Sequence, residues 1–168
     1  MIRPFKPSLS RVAATAALAT HGYITYVGYL GLIDLDLNSV SAGNLANLVQ
    51  CVHVHGNVWI SGVRGDLSPV LGIAKCFRLV MCDIDLSTAD TQGLLAAMVS
   101  GVLVVTLRRG VTLDTETLSQ YDGKGKCGRV MVCWDTVRRY RGQLKSWAKR
   151  IGWKLMEDYA RIIIERSG

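Results

Sequence analysis

The sequence predicts an α/β fold: a short solenoid of about five strand–helix units on a parallel sheet, with a cap at each end. Three observations carry this expectation. Cys51, Cys76, Gly101 and Cys127 lie 25, 25 and 26 residues apart. Each opens an apolar stretch whose residues recur at a spacing near two, the period of a strand. Each stretch then gives way to apolar residues three or four apart, the period of a helix. A fixed period of roughly 20–30 residues is the mark of architectures that stack one supersecondary unit repeatedly.

The frames align in order. The first runs from Val27 through Leu30, Leu32, Leu35 and Leu37 to Asn38, then Leu45 and Leu48. The second takes Val54, Val58, Ile60 and Val63, then Leu67, Val70, Leu71 and Ile73. The third takes Leu79, Met81, Ile84 and Leu86, then Leu94, Leu95 and Met98. The fourth takes Leu103, Val105, Leu107, Val111 and Leu113, then Leu118 and Tyr121. The fifth takes Val130, Val132 and Trp134, then Val137, Tyr140, Leu144, Trp147 and Ile151. Ser41, Ser87, Asp114 and Asp135 stand where each unit turns from strand to helix, and their side chains can accept an unpaired helix N–H. Pro69 follows Ser68 at an early-helix position, where proline loses nothing. Gly152 follows Ile151 as a left-handed cap. The second and fourth frames leave room for one or two helical turns only. Residues 1–26 read as an N-terminal capping segment and 27–151 as the units. Residues 152–168 read as a C-terminal capping strand ending in the β-prone run 161–165. Gly101, standing where other frames have cysteine, suggests that the unit boundary needs a small residue.

The run Leu32-Ile33-Asp34-Leu35-Asp36-Leu37-Asn38 reads L-x-x-L-x-L-N. Here the chain resembles a leucine-rich repeat of the ribonuclease-inhibitor type, over roughly residues 27–164. The resemblance implies a curved horseshoe of short parallel strands and helices with a concave sheet face. Such repeats recur in NOD-like innate immune receptors. The resemblance therefore implies a non-catalytic protein-recognition module, with a role in innate immune sensing or regulation, that binds its partner on the concave face.

Composition fits an ordered domain. Hydrophobic residues make up 49% and charged ones 20% of 168 residues, enough chain for one solid core. Five cysteines is an odd number, which excludes a complete disulfide framework. Reduced thiols point to the cytoplasm. The N-terminus leaves other readings open. Arg3, Lys6 and Arg11 precede an Ala-rich apolar run, and the first acidic residue is Asp34. The run reads as a capping helix, a secretory signal or an organellar presequence. Its glycines and His21 argue against a membrane span.

Charge is uneven. The chain carries 20 basic and 13 acidic residues, net +7, and residues 122–168 hold 12 and five of these, so the whole excess lies there. In an expected helix over 136–151, Val137, Tyr140, Leu144, Trp147, Ala148 and Ile151 form an apolar stripe. Arg138, Arg139, Arg141, Lys145, Lys149 and Arg150 cover the remainder. Two readings are open: a basic patch for nucleic acid or another anionic surface, or the solvated outer helix of a terminal unit. An apolar first frame also allows self-stacking into a homo-oligomer.

Catalytic motifs are absent, and no cofactor is expected. No nucleophile elbow, phosphate loop or H-E-x-x-H occurs. Asp122-Gly123-Lys124-Gly125-Lys126 lacks phosphate-loop spacing and reads as an exposed connection. Cys51-x-His53-x-His55 offers three zinc-type ligands on one strand face, but no second cluster completes a site, so no metal is expected. The pairs Asp34/Asp36 and Asp83/Asp85 alternate with apolar residues. With those apolar residues in the core, the aspartates line the open sheet face together with Trp59, Ser61, Thr106 and Arg108, and with Trp134 beyond them. A tryptophan set among charges is what protein-binding surfaces tend to carry. Ordinary solvation of a sheet face is the competing reading.

Overall fold

The computed structural model describes residues 25–41, 43–44 and 52–168, and for 25–29 and 52–55 the backbone alone. The expected N-terminal capping helix, Leu45, Leu48, Cys51 and the side chains of His53 and His55 lie outside it. Strands β1 (Thr25–Ile33), β2 (Val52–Ser61), β3 (Cys76–Cys82), β4 (Val102–Leu107) and β5 (Arg129–Cys133) pair in parallel in chain order. The C-terminal segment forms two strands where one was expected. β6 (Lys154–Glu157) and β7 (Arg161–Glu165) make an antiparallel hairpin, and β7 pairs antiparallel with β5. The result is an α/β protein with a seven-stranded, mostly parallel open sheet, ordered β1-β2-β3-β4-β5-β7-β6. Its four helices among the described residues are α1 (Ser68–Ile73), α2 (Thr88–Ser100), α3 (Thr115–Leu118) and α4 (Trp134–Ile151). α1 and α3 are as short as their frames allow.

Apolar alternation sets the register. Leu32, Ile60, Met81, Leu107, Val132 and Ile162 stand side by side across six strands, and all are buried. They join one cluster with Val70 and Leu71 of α1, Leu94 and Met98 of α2, Leu118 of α3 and Leu144 and Trp147 of α4. The helices therefore cover one face of the sheet. The alternate positions Trp59, Val80, Val104, Thr106 and Met131 are outside that cluster and point the other way.

Caps follow the sequence closely. Ser87 and Asp90 form a reciprocal capping box at α2. The carboxylate of Asp90 also accepts the Leu67 N–H at 2.7 Å, which ties the start of α1 to α2. Asp114 accepts the N–H groups of Glu116 and Thr117 at α3. Ser41 Oγ accepts the Asn44 N–H at 3.1 Å. Gly152 ends α4 at φ 72. α4 begins two residues earlier than expected, and Asp135 does not cap it. Its carboxylate instead accepts the Gly110 N–H at 3.0 Å, a tie to the preceding unit.

Past the strand ends the backbone turns left-handed at Asp34 (φ 51), Gly62 (φ 61), Asp83 (φ 50) and Gly110 (φ 70). Such turns are costly for most side chains, but a short polar side chain tolerates them. The chain then pairs once more, through bridges between Asp36 and Arg64 and between Asp85 and Thr112. A Cβ on Gly62 would lie 2.5 Å from Asp34 Oδ1, and one on Gly110 2.8 Å from Asp83 Oδ1. Each aspartate therefore needs a glycine beside it.

Two expectations change. Cys76 pairs with Val102, so Gly101 stands one residue out of register with the cysteine and is the C-cap of α2. The stretch 122–126 is also more than an exposed connection. Its aspartate and lysines are exposed, but Gly123 is buried against the Trp153 indole, and the Cα of Gly125 packs near Val99. The Arg166 guanidinium donates to the carbonyls of Gly123, Gly125 and Cys127, binding the C-terminal strand to this loop.

Candidate functional site

The sheet face that the described helices leave uncovered forms three rows, each crossing the strands. The central row runs Gly31, Trp59, Val80, Thr106, Met131, Ile163 and Met156. Toward the strand starts lie Asn57, Arg78, Val104, Arg129, Glu165 and Lys154. Toward the strand ends lie Ser61 and Cys82, then Cys133 and Arg161. Arg108 follows β4 and its guanidinium reaches back to 4.8 Å from the centre of the Trp59 ring, a cation–π contact that fixes both side chains.

The predicted residues divide into two groups. Trp59, Ser61, Thr106 and Arg108 come together on this face. Asp34, Asp36, Asp83 and Asp85 do not line it, because the strands end at Ile33 and Cys82 and the left-handed turns break the alternation. All four are exposed at the carboxyl edge of the sheet. Asp36 accepts the Asn38 N–H at 3.0 Å, while Asp83 meets Arg109 at 3.8 Å, both groups well solvated. Trp134 is also absent from the face. It opens α4, half-buried, with the Arg141 guanidinium 5.7 Å from its ring centre.

The electrostatics separate paired from unpaired arginines. Arg129 is paired with Glu165 at 2.9 Å and Arg161 with Asp158 at 3.2 Å. Arg78, on β3, and Arg108, just past β4, have no ion pair among the described residues. Arg78 Nε and Thr106 Oγ1 are buried without a hydrogen-bond partner. Buried polar atoms of this kind are normally satisfied, and an exception calls for an explanation. Sequence reasoning missed Arg78, Val80 and Met131. The available signal was their parity with Trp59 once the frames are registered strand to strand.

The basic patch on α4 is partly neutralised. Arg141 and Lys145 both bind Glu157, at 2.7 and 2.8 Å, and Arg139 donates to Thr112 Oγ1 at 3.3 Å. Arg138, Lys149 and Arg150 project into solvent. Burial pushes the Cys76 thiol up to about 11 and raises Cys127 and Cys133 as well, so these sulfurs are poor nucleophiles at neutral pH. A groove of about 650 Å³ between α3 and α4 has Glu116 and Arg150 as its ionisable lining residues. Among the described residues no three His, Cys, Asp or Glu side chains converge as metal ligands, and no helix is long and apolar enough to cross a membrane.

Fold and site together define an α/β protein with a mostly parallel sheet, one face of which the described helices cover. No protein-family model matches the chain, and comparison with curated proteins and with solved structures finds no match.

Proposed function

We propose that the chain is a short curved solenoid of leucine-rich-type units and acts as a non-catalytic module that recognises a protein partner on its open sheet face. The sequential parallel order of β1 to β5, with the connections from β2 to β5 on the same side of the sheet, supports the solenoid reading. The single observation that carries the functional reading is the central row. Trp59, half-buried, and Val80, Thr106 and Met131, buried beside it, form a mostly apolar strip with polar rows on both sides, and none of the described helices covers it. An aromatic anchor held by an arginine inside an apolar centre with a polar rim is the composition of an interaction hot spot. Innate immune regulation is the setting that the leucine-rich resemblance suggests.

Site-specific cross-linking tests this. A photoreactive benzoyl-phenylalanine at position 59 should trap a bound polypeptide from cells that make the protein, and the same probe at position 138 on α4 should not. Trapping at 138 alone moves the site to the basic helix and favours an anionic-surface reading. Trapping of a second copy of the chain favours self-assembly. Either result sinks the proposal.

A further inference from the structure

We propose that the occupant of the open face is an acidic, extended polypeptide segment, whose carboxylate is taken by Arg78 and Thr106 and whose apolar side chain rests on the central row. This rests on the reading of that face as a polypeptide-binding surface and adds the chemistry of the partner.

The observations converge from charge, satisfaction and geometry. The face carries Arg78, Arg108, Arg129, Arg161 and Lys154 against Glu165 and the Asp158 that pairs with Arg161, an excess of three positive charges. The outer arginines have carboxylates of their own, at 2.9 and 3.2 Å, and the two central ones have none among the described residues. Thr106, about nine-tenths buried, leaves its hydroxyl unpaired. Arg78 stands opposite Val104, and Thr106 stands two residues further along the same strand. The guanidinium and the hydroxyl therefore share one side of the sheet within an arginine's reach. A carboxylate satisfies both: the planar fork of Arg78 donates from Nε and Nη, and the Thr106 hydroxyl donates beside it.

The second arginine without an ion pair addresses the same row. The Arg108 guanidinium reaches back over the Trp59 ring, which is level with Thr106 and two residues beyond Arg78, so both central cations stand by the middle of the row. The segment that fits presents a carboxylate beside an apolar residue. The chain's own ends do not complement the face. Residues 1–24 carry Arg3, Lys6 and Arg11 and no acid, and α4 is basic.

Selection of a random 12-residue peptide library on the full-length protein tests the inference. Acidic sequences that also carry an apolar residue should be enriched. A selected peptide, followed by fluorescence polarisation, should bind at least tenfold more weakly to Arg78→Gln and several-fold more weakly to Thr106→Val, since charge-assisted contacts are the strong ones. Its affinity should also fall with salt. Circular dichroism melts establish that the variants are folded; Arg108→Gln, on a more exposed side chain, repeats the test independently of Arg78. Enrichment of neutral or basic peptides that still need Trp59 overturns the acidic preference and leaves the recognition reading standing. No enrichment at all overturns both. Tighter binding of a single-stranded DNA of about 20 nucleotides, lost in Arg78→Gln, overturns the inference in favour of nucleic acid.

Discussion

Gly101 shows how one missing methyl group sets the distance between two units. Its Cβ position is occupied by the carbonyl oxygen of Ala74, the residue that caps α1 before β3 begins. The side chain that the Cys51, Cys76 and Cys127 spacing implied at this boundary has no room. Gly101→Ala should lower stability by about 1–3 kcal/mol, the usual cost of overpacking, because backbone must move to admit it. A denaturant titration against wild type measures this, and an unchanged midpoint would contradict the close approach. The same residue marks a limit of sequence reading. A spacing of 25 and 26 residues located the boundary, but an offset of one against Val102 shows only when strands are paired. The left-handed turns at Asp34 and Asp83 were equally hidden, since aspartate in an alternating run looks like a strand residue.

Elements with strong local signals were legible. The Ser87 capping box, Pro69, the Gly152 cap and the apolar stripe of α4 all stand where the sequence put them. β6 was not legible, because Lys-Leu-Met-Glu is four residues long and only half apolar. It is held from outside its own sequence. Leu155 packs on the core, and Glu157 accepts from both Lys145 and Arg141 of α4. Lys145 first and Arg141 second hold the Glu157 carboxyl below its ordinary value of 4.5. A depressed acid stabilises the fold above its unfolded value, and that contribution disappears as pH falls through the folded one. The tie between α4 and β6 should therefore be intact at pH 6 and lost only as pH falls below 4.5. Hydrogen exchange of the β6–β7 amides should show this loosening in the wild type, and Glu157→Gln should already exchange fast at pH 6. Equal pH dependence in both proteins would assign the loosening to another group.

At the scale of the whole molecule, each strand meets its sheet neighbours and each helix packs on the next, so cohesion is passed along the chain. On the proposed solenoid reading, stability is a sum of unit and boundary contributions and is not uniform. Native-state hydrogen exchange should be slowest in β3 and β4, which have parallel partners on both sides, and fastest in β6, which has one. Uniform protection across the sheet would mean a single cooperative block. The open face is likewise a property of the whole. The sequence already grouped Trp59, Ser61, Thr106 and Arg108 on one face, but Arg78, Val80 and Met131 join them only through the strand register.

The alternation of aspartate and glycine at the left-handed turns gives the molecule a grain coarser than one strand and one helix. Asp34 and Asp83 are 49 positions apart, and Gly62 and Gly110 are 48 apart. Asp34-Leu35-Asp36-Leu37 is echoed by Asp83-Ile84-Asp85-Leu86, and Gly62-Val63 by Gly110-Val111. The short helices α1 and α3 both follow the glycine type, and the long α2 follows the aspartate type. A single duplicated or deleted unit would set aspartate against aspartate or glycine against glycine, with no small neighbour to receive the carboxylate. Lengthening or shortening in steps of two keeps the phase. On the solenoid reading proposed above, the chain would grow or shrink by couplets of about 49 residues, as in verse whose rhyme falls on every second line.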